Sequence, residues 1–144
     1  MLISIGSDHA GYKLKEEIKL FLSSLNIQFK DCGTFSEDSV DYPDFGHAVA
    51  NDIVNKQADF GIVICGSGNG INISANKHKG IRSALCWNEQ IAKLARLHND
   101  ANILALPGRF IDVDEAKRAV KTFIDTPFEG GRHQNRINKI EISC

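Results

Sequence analysis

The sequence has little of what would tie a chain to a nucleic acid, a membrane, a metal or the cell exterior. Its 17 Lys and Arg stand against 18 Asp and Glu, a formal charge of -1. There is therefore no global field for a polyanion: no nucleic-acid or membrane partner is expected, and any anionic ligand must be held by local groups. The cysteines Cys32, Cys65, Cys86 and Cys144 form neither a CxxC pair nor a metal-ligand spacing, and a chain of this length folds without staples. They read as reduced thiols in a cytoplasmic protein, with no metal and no cofactor. No apolar run approaches the roughly eighteen residues of a membrane span, and no basic leader or cleavage site follows Met1, so a soluble, unprocessed chain is expected. Repeats, low-complexity stretches and long linkers are missing too, which predicts one domain over 1–144.

What is present is a succession of short apolar runs, Leu2–Gly6, Ile27–Cys32, Phe60–Cys65, Ile81–Cys86 and Ile103–Leu106. The stretches between them carry helical spacing. Alternating strand and helix specifies a doubly wound α/β domain with about five parallel strands flanked by helices. In the first helical stretch Leu14, Ile18, Phe21, Leu22 and Leu25 form one apolar stripe. Lys13, Lys15, Glu16, Glu17 and Lys19 lie on the other side and read as a solvated face. Further helices are predicted over about 45–55, from about 69, over about 88–97 and over about 112–124, the last opened by Asp112 or Asp114 as N-cap. Pro127 and Gly130-Gly131 then break the chain before a final helical segment from Arg132 to about Ile142.

In open parallel sheets ligands bind beyond the carboxyl ends of the strands, where strand order reverses. The loops there are Ser7-Asp8-His9-Ala10-Gly11, Cys65-Gly66-Ser67-Gly68-Asn69-Gly70 and Pro107-Gly108-Arg109. Alternate glycines between a strand and a helix let successive N–H groups turn inward around an anion. The loop is not a dinucleotide fingerprint, because Ile71 stands where GxGxxG needs glycine, and no Gly-Lys-Ser/Thr makes it a Walker loop. Cys65, just before a helix N-terminus, sits where thiolate is favoured over thiol, and thiolate is the form that acts as a base. Cys32 and Cys86, at the ends of other strands, read as core residues.

Arg132 and Arg136 are four apart, so on a helix they share a face and repel unless an anion lies between them. Phosphate is the natural bridge, and Arg109 adds a third guanidinium. His98 closes the fourth helix, where the dipole favours its charged form. A helix preceding strand five ends at the opposite edge of the sheet from Cys65, so His98 would reach Cys65 from a second subunit. His47 and His78 have no special setting in the sequence.

Together, Gly6-Ser7-Asp8-His9-Ala10-Gly11, Asp41-Tyr42-Pro43, Cys65-Gly66-Ser67-Gly68-Asn69-Gly70, Ala75-Asn76-Lys77, His98-Asn99-Asp100 and Glu129-Gly130-Gly131-Arg132-His133 resemble the type B ribose-5-phosphate isomerases. That family also holds the galactose-6-phosphate isomerase subunits and allose-6-phosphate isomerase. The resemblance implies a metal-free aldose–ketose isomerisation of ribose 5-phosphate to ribulose 5-phosphate, in a homodimer or a dimer of such dimers with sites between subunits. It implies Cys65 as base, His98 as ring-opening acid, Asp8 and Tyr42 near the sugar ring, and the backbone from Gly66 to Gly70, through Ser67, Gly68 and Asn69, around the enediolate oxygen. His9, Arg109, Arg132 and Arg136 would hold the phosphate and Asn99 a substrate oxygen. Family members with a Glu base carry it just after the glycine loop, where this chain has Ile71. The rival readings are a hexose phosphate substrate, allose 6-phosphate or galactose 6-phosphate, and a non-catalytic flavodoxin-like binding module.

Overall fold

The computed structural model describes residues 1–142, so Cys144 lies outside the described residues. The element order is β1 (Leu2–Ser7), α1 (Tyr12–Ser24), β2 (Gln28–Asp31), α2 (Tyr42–Val54), β3 (Phe60–Cys65), α3 (Asn69–Ala75), β4 (Ser83–Leu85), α4 (Glu89–Asn99), β5 (Ile103–Pro107), α5 (Val113–Asp125) and α6 (Arg132–Ile137). The five strands form one sheet in the order β2-β1-β3-β5-β4, with every neighbouring pair parallel. The chain steps outward from β1 to β2 and then returns to β3 on the other side of β1. That reversal opens a crevice above the carboxyl ends of β1 and β3.

Strand side chains alternate between the faces. Ile3, Ile5, Ile62, Ile64, Leu104 and Leu106 face Leu14, Ile18 and Leu22 of α1 and Ala119, Val120 and Phe123 of α5. Val63, Cys65, Ile103 and Ala105 face Val49 and Ala50 of α2 and Ile71 and Ala75 of α3. Burial on both sides explains why these strands read as unbroken apolar runs instead of alternating ones.

The element ends refine the sequence reading. Helix α2 starts at Tyr42, ahead of the expected 45, because Pro43 occupies its first turn, where a missing N–H costs nothing. Helix α5 is capped by Asp112, whose carboxylate accepts the Glu115 N–H at 2.8 Å. Helix α6 stops at Ile137, short of the expected 142, and beyond it the Glu141 carboxylate turns away to accept the Gly80 N–H at 2.6 Å.

One expectation is overturned. Lys15 does not belong to a solvated face: its side chain is 0% exposed, and its ammonium lies 2.6 Å from Asp31 at the end of β2 and 3.1 Å from Glu16. The Tyr12 and Phe35 rings lie beside it, 5.6 and 5.4 Å from Nζ to their centroids. Asp31 also receives Lys19 at 2.7 Å and the Gly33 N–H at 2.9 Å. Burial alone would raise the Asp31 carboxyl, but these donors outweigh it and hold it below its ordinary value. The network reaches the crevice: Gly33 O accepts the Ser7 N–H and Thr34 N–H donates to Ser7 O, both at 2.7 Å. The last residue of β1 is thereby fixed just before Asp8.

Candidate active site

At the reversal point a hollow of about 390 Å³ is lined by Asp8, His9, Ala10, Tyr42, Cys65, Gly66, Ser67, Gly70, Arg109 and Phe110. Three loops predicted from the sequence therefore meet. Cys65 is the last residue of β3 and only 4% exposed. Its carbonyl accepts Gly108 N–H at 2.8 Å, and Gly66 O accepts Arg109 N–H at 2.9 Å, which ties the glycine loop to the end of β5. Among the described residues the N–H groups of Gly66, Ser67 and Gly68 have no acceptor, while Asn69 N–H donates to Ser67 Oγ at 3.2 Å.

Two glycines shape the loop and its surroundings. Gly68 holds φ +77°, and a Cβ there would stand 2.4 Å from a Leu85 methyl. A Cβ on Gly70 would lie 2.6 Å from the Tyr42 ring, so the ring rests directly on the loop. Asp8 is buried, and its Oδ1 accepts Ala10 N–H at 2.9 Å and Gly11 N–H at 3.1 Å, shaping the turn into α1. His9 Nδ1 accepts Val40 N–H at 3.2 Å, which places the proton of the neutral ring on Nε2 and makes that nitrogen a donor. Sequence reasoning missed Phe110, 76% exposed on the rim; its only signal was an aromatic residue in a polar turn.

The other predicted residues stand elsewhere in the chain. His98 and Asn99 end α4, just before β5 begins, whereas Cys65 pairs with Pro107 at the far end of β5. Four strand steps separate the two ends, on the order of 13 Å. Near His98 lie Glu129, whose Oε2 is 4.0 Å from His98 Nε2, and His133, whose Nε2 is 3.8 Å from the same oxygen. Arg132 and Arg136 share α6 with His133. Neither they nor Arg109 has a carboxylate within ion-pair distance among the described residues. Asn99 lines a separate hollow of about 220 Å³ with Asn76, Arg82 and Ile140.

His98, Glu129 and His133 place their ligand atoms within 4.8 Å of one another. They do not fit a zinc ion as they stand. Tetrahedral donors around zinc are about 3.4 Å apart with converging lone pairs, whereas the two imidazoles are stacked at 4.4 Å and 16°, which keeps their lone pairs in two nearly parallel, separated planes. His47 and His78, unremarkable in the sequence, are hydrogen-bonded at 2.8 Å between Nδ1 and Nε2. Cys86 is fully buried and its thiol is pushed up to about 12 by burial. Cys32 is half-buried against Ser4 and Asp52, with its thiol raised by burial. Neither adjoins the glycine loop.

Comparison with known proteins identifies the family. Residues 3–140 match the Ribose/Galactose Isomerase family. Ribose-5-phosphate isomerase B of Escherichia coli is 41% identical over 138 residues, covering 96% of this chain and 93% of that protein. The crystal structure of a ribose 5-phosphate isomerase from Thermotoga maritima superposes with a TM-score of 0.95 at 52% identity, covering 96% of each chain. Ribose-5-phosphate isomerase B from Mycoplasma genitalium with bound ribulose-5-phosphate superposes with a TM-score of 0.91 at 43% identity, covering 96% of this chain and 93% of that one. By sequence over nearly its full length and by fold, the chain belongs to the ribose/galactose isomerase family.

Proposed function

We propose that this isomerase interconverts D-ribose 5-phosphate and D-ribulose 5-phosphate through an enediolate, with sites completed between two copies of the chain. The observation that carries the reading is Cys65 set beside unpaired loop N–H groups in a hollow rimmed by His9 and Arg109. Its relatives' names supply the substrate, and Mycoplasma genitalium ribose-5-phosphate isomerase B holds the product of the forward reaction.

The chemistry runs as follows. As the furanose opens, the bond from C1 to the ring oxygen breaks, His98 gives that oxygen a proton and the anomeric hydroxyl loses its own to water. The Cys65 thiolate then takes the C2 proton. The freed electron pair forms the C1=C2 bond and O1 becomes anionic, in reach of the amides of Gly66 to Gly70. Preorganised donors aimed at such an oxygen contribute about 3–4 kcal/mol each. The O2 proton passes to O1, the thiol returns its proton to C1 and O2 becomes the carbonyl. Asp8 and Tyr42 flank the sugar and Asn99 binds one of its hydroxyls. His9, Arg109, Arg132 and Arg136 hold the phosphate, which orients the reacting carbons from a distance.

No single chain brings His98 and the α6 arginines to Cys65, so a homodimer, or a dimer of such dimers, places one chain's α4–α6 end over the other's crevice. The three described cysteines are free, and we place the protein in the cytoplasm as one domain over 1–144. No helix among the described residues is long and apolar enough to cross a membrane.

The test is steady-state conversion of ribose 5-phosphate by wild type and by Cys65→Ala, in chelator and without added cofactor. Wild-type turnover falling by about a hundredfold or more in the folded variant is expected. Turnover surviving in Cys65→Ala would assign the base to another residue. No wild-type turnover would point to allose 6-phosphate or galactose 6-phosphate.

A further inference from the structure

His133 is 4% exposed, and its Nε2 is buried with no hydrogen-bond partner among the described residues. An unpaired buried nitrogen costs stability, so packing alone does not account for an imidazole at this position. Its ring lies parallel to that of His98, with centroids 4.4 Å apart and planes at 16°. His98 is the accessible member, with its side chain 40% exposed, and the Glu129 carboxylate fronts both Nε2 atoms. Glu129 is itself tied to α4, since its N–H donates to Leu97 O at 3.1 Å. Burial, and then the neighbouring His98, Arg132 and Arg136, push the His133 imidazole down against the opposing pull of Glu129. Both effects favour the neutral form of the His133 ring.

We propose that His133 is a positioning residue acting through His98: its buried face, stacked on the His98 imidazole, fixes the plane of that ring and so aims the nitrogen that takes and gives the proton. The proposal rests on His98 being the ring-opening acid. A general acid must meet its target oxygen within hydrogen-bond reach, and a small misplacement is costly. His98 lies in the last turn of α4, ahead of Asp100 with its left-handed backbone at φ +44°, and the stack supports its ring from the side.

The experiment separates ring opening from proton transfer at carbon. Ribulose 5-phosphate is acyclic, because the C5 oxygen that would close its ring carries the phosphate. Exchange of its C1 hydrogen with D₂O therefore reports the Cys65 step without ring opening. Two variants discriminate: His133→Leu keeps apolar bulk but loses the flat face, and His133→Phe keeps the face but loses the nitrogens. In His133→Leu, turnover of ribose 5-phosphate should fall about 10- to 100-fold, with exchange at saturating ribulose 5-phosphate kept within about threefold. His133→Phe should recover most of the loss. Equal losses of turnover and exchange, a Phe variant no better than Leu, or a Leu variant as active as wild type would each overturn the proposal. His98→Ala is the control for the underlying reading. If it turns over ribose 5-phosphate normally, the acid is not His98 and the proposal falls with it; if it is impaired while His133→Leu is not, the proposal alone fails.

Discussion

Mixing two dead variants should restore activity. Cys65 lies at the carboxyl end of β3, beside Pro107, whereas His98 precedes the start of β5, on the order of 13 Å away along the sheet. On the proposed reading each chain carries two half-sites facing opposite ends, and the proposed two-fold dimer pairs the Cys65 half of one chain with the His98 half of the other. Cys65→Ala and His98→Ala, refolded together in equal amounts, give heterodimers as half of all dimers. In each heterodimer one site collects both lesions and the other collects none. The mixture should then reach about one quarter of wild-type turnover per chain. Each parent, lacking its base or its acid, should retain about one part in a hundred or less, so recovery stands about 25-fold above the parents. Initial ribulose 5-phosphate formation at fixed total protein measures this, with differently tagged chains and native mass spectrometry to count heterodimers. Heterodimers present at the statistical share with turnover no higher than the parents' mean would refute the shared site.

Two further expectations concern the frame of the site. Lys15→Met leaves Asp31 buried with Lys19 and the Gly33 N–H as remaining donors, so the loss should fall at the low end for a broken buried pair, about 3 kcal/mol. At constant protein concentration that lowers the unfolding midpoint by about 10 °C, and a loss under about 1 kcal/mol would show that the pair is not stabilising. The same carboxyl is held below its ordinary value. Its stabilising contribution is present above the unfolded-state pKa and lost as pH falls through the folded one, so Asp31→Asn should flatten the acid limb of stability below about pH 4. Gly70→Ala puts a methyl 2.6 Å from the Tyr42 ring. Because Tyr42 is 42% exposed, the ring can swing outward, so stability should change little, by about 1 kcal/mol, while kcat/KM falls about tenfold as the ring leaves the sugar site. Unchanged kcat/KM in Gly70→Ala would remove Tyr42 from the site.

Sheet, strand count and the meeting of three loops were legible because each rests on local pattern. Apolar runs such as Ile62-Val63-Ile64-Cys65 mark strands, and parallel polarity sends every loop after a strand to one rim. Lys15 was not legible. On a helical wheel it shares the side of Lys19, and only the arrival of Asp31 and Phe35 from a non-local strand and loop buries it. His133 was hidden for the same reason: its place in the sequence, beside Arg132, says nothing of a stack on a ring from another helix. The arginines show the converse. Their identity and spacing were readable, yet α6 sets them at the end of the sheet away from Cys65, so their number alone would have suggested a complete site within one chain. Polarity was the decisive clue, because a helix that returns along a parallel sheet must end at the opposite edge from the loop it left. For His98, the sequence position that makes it a helix terminus also puts it out of reach of its own Cys65. The same connectivity that builds the crevice is therefore what makes a second copy part of the proposed site.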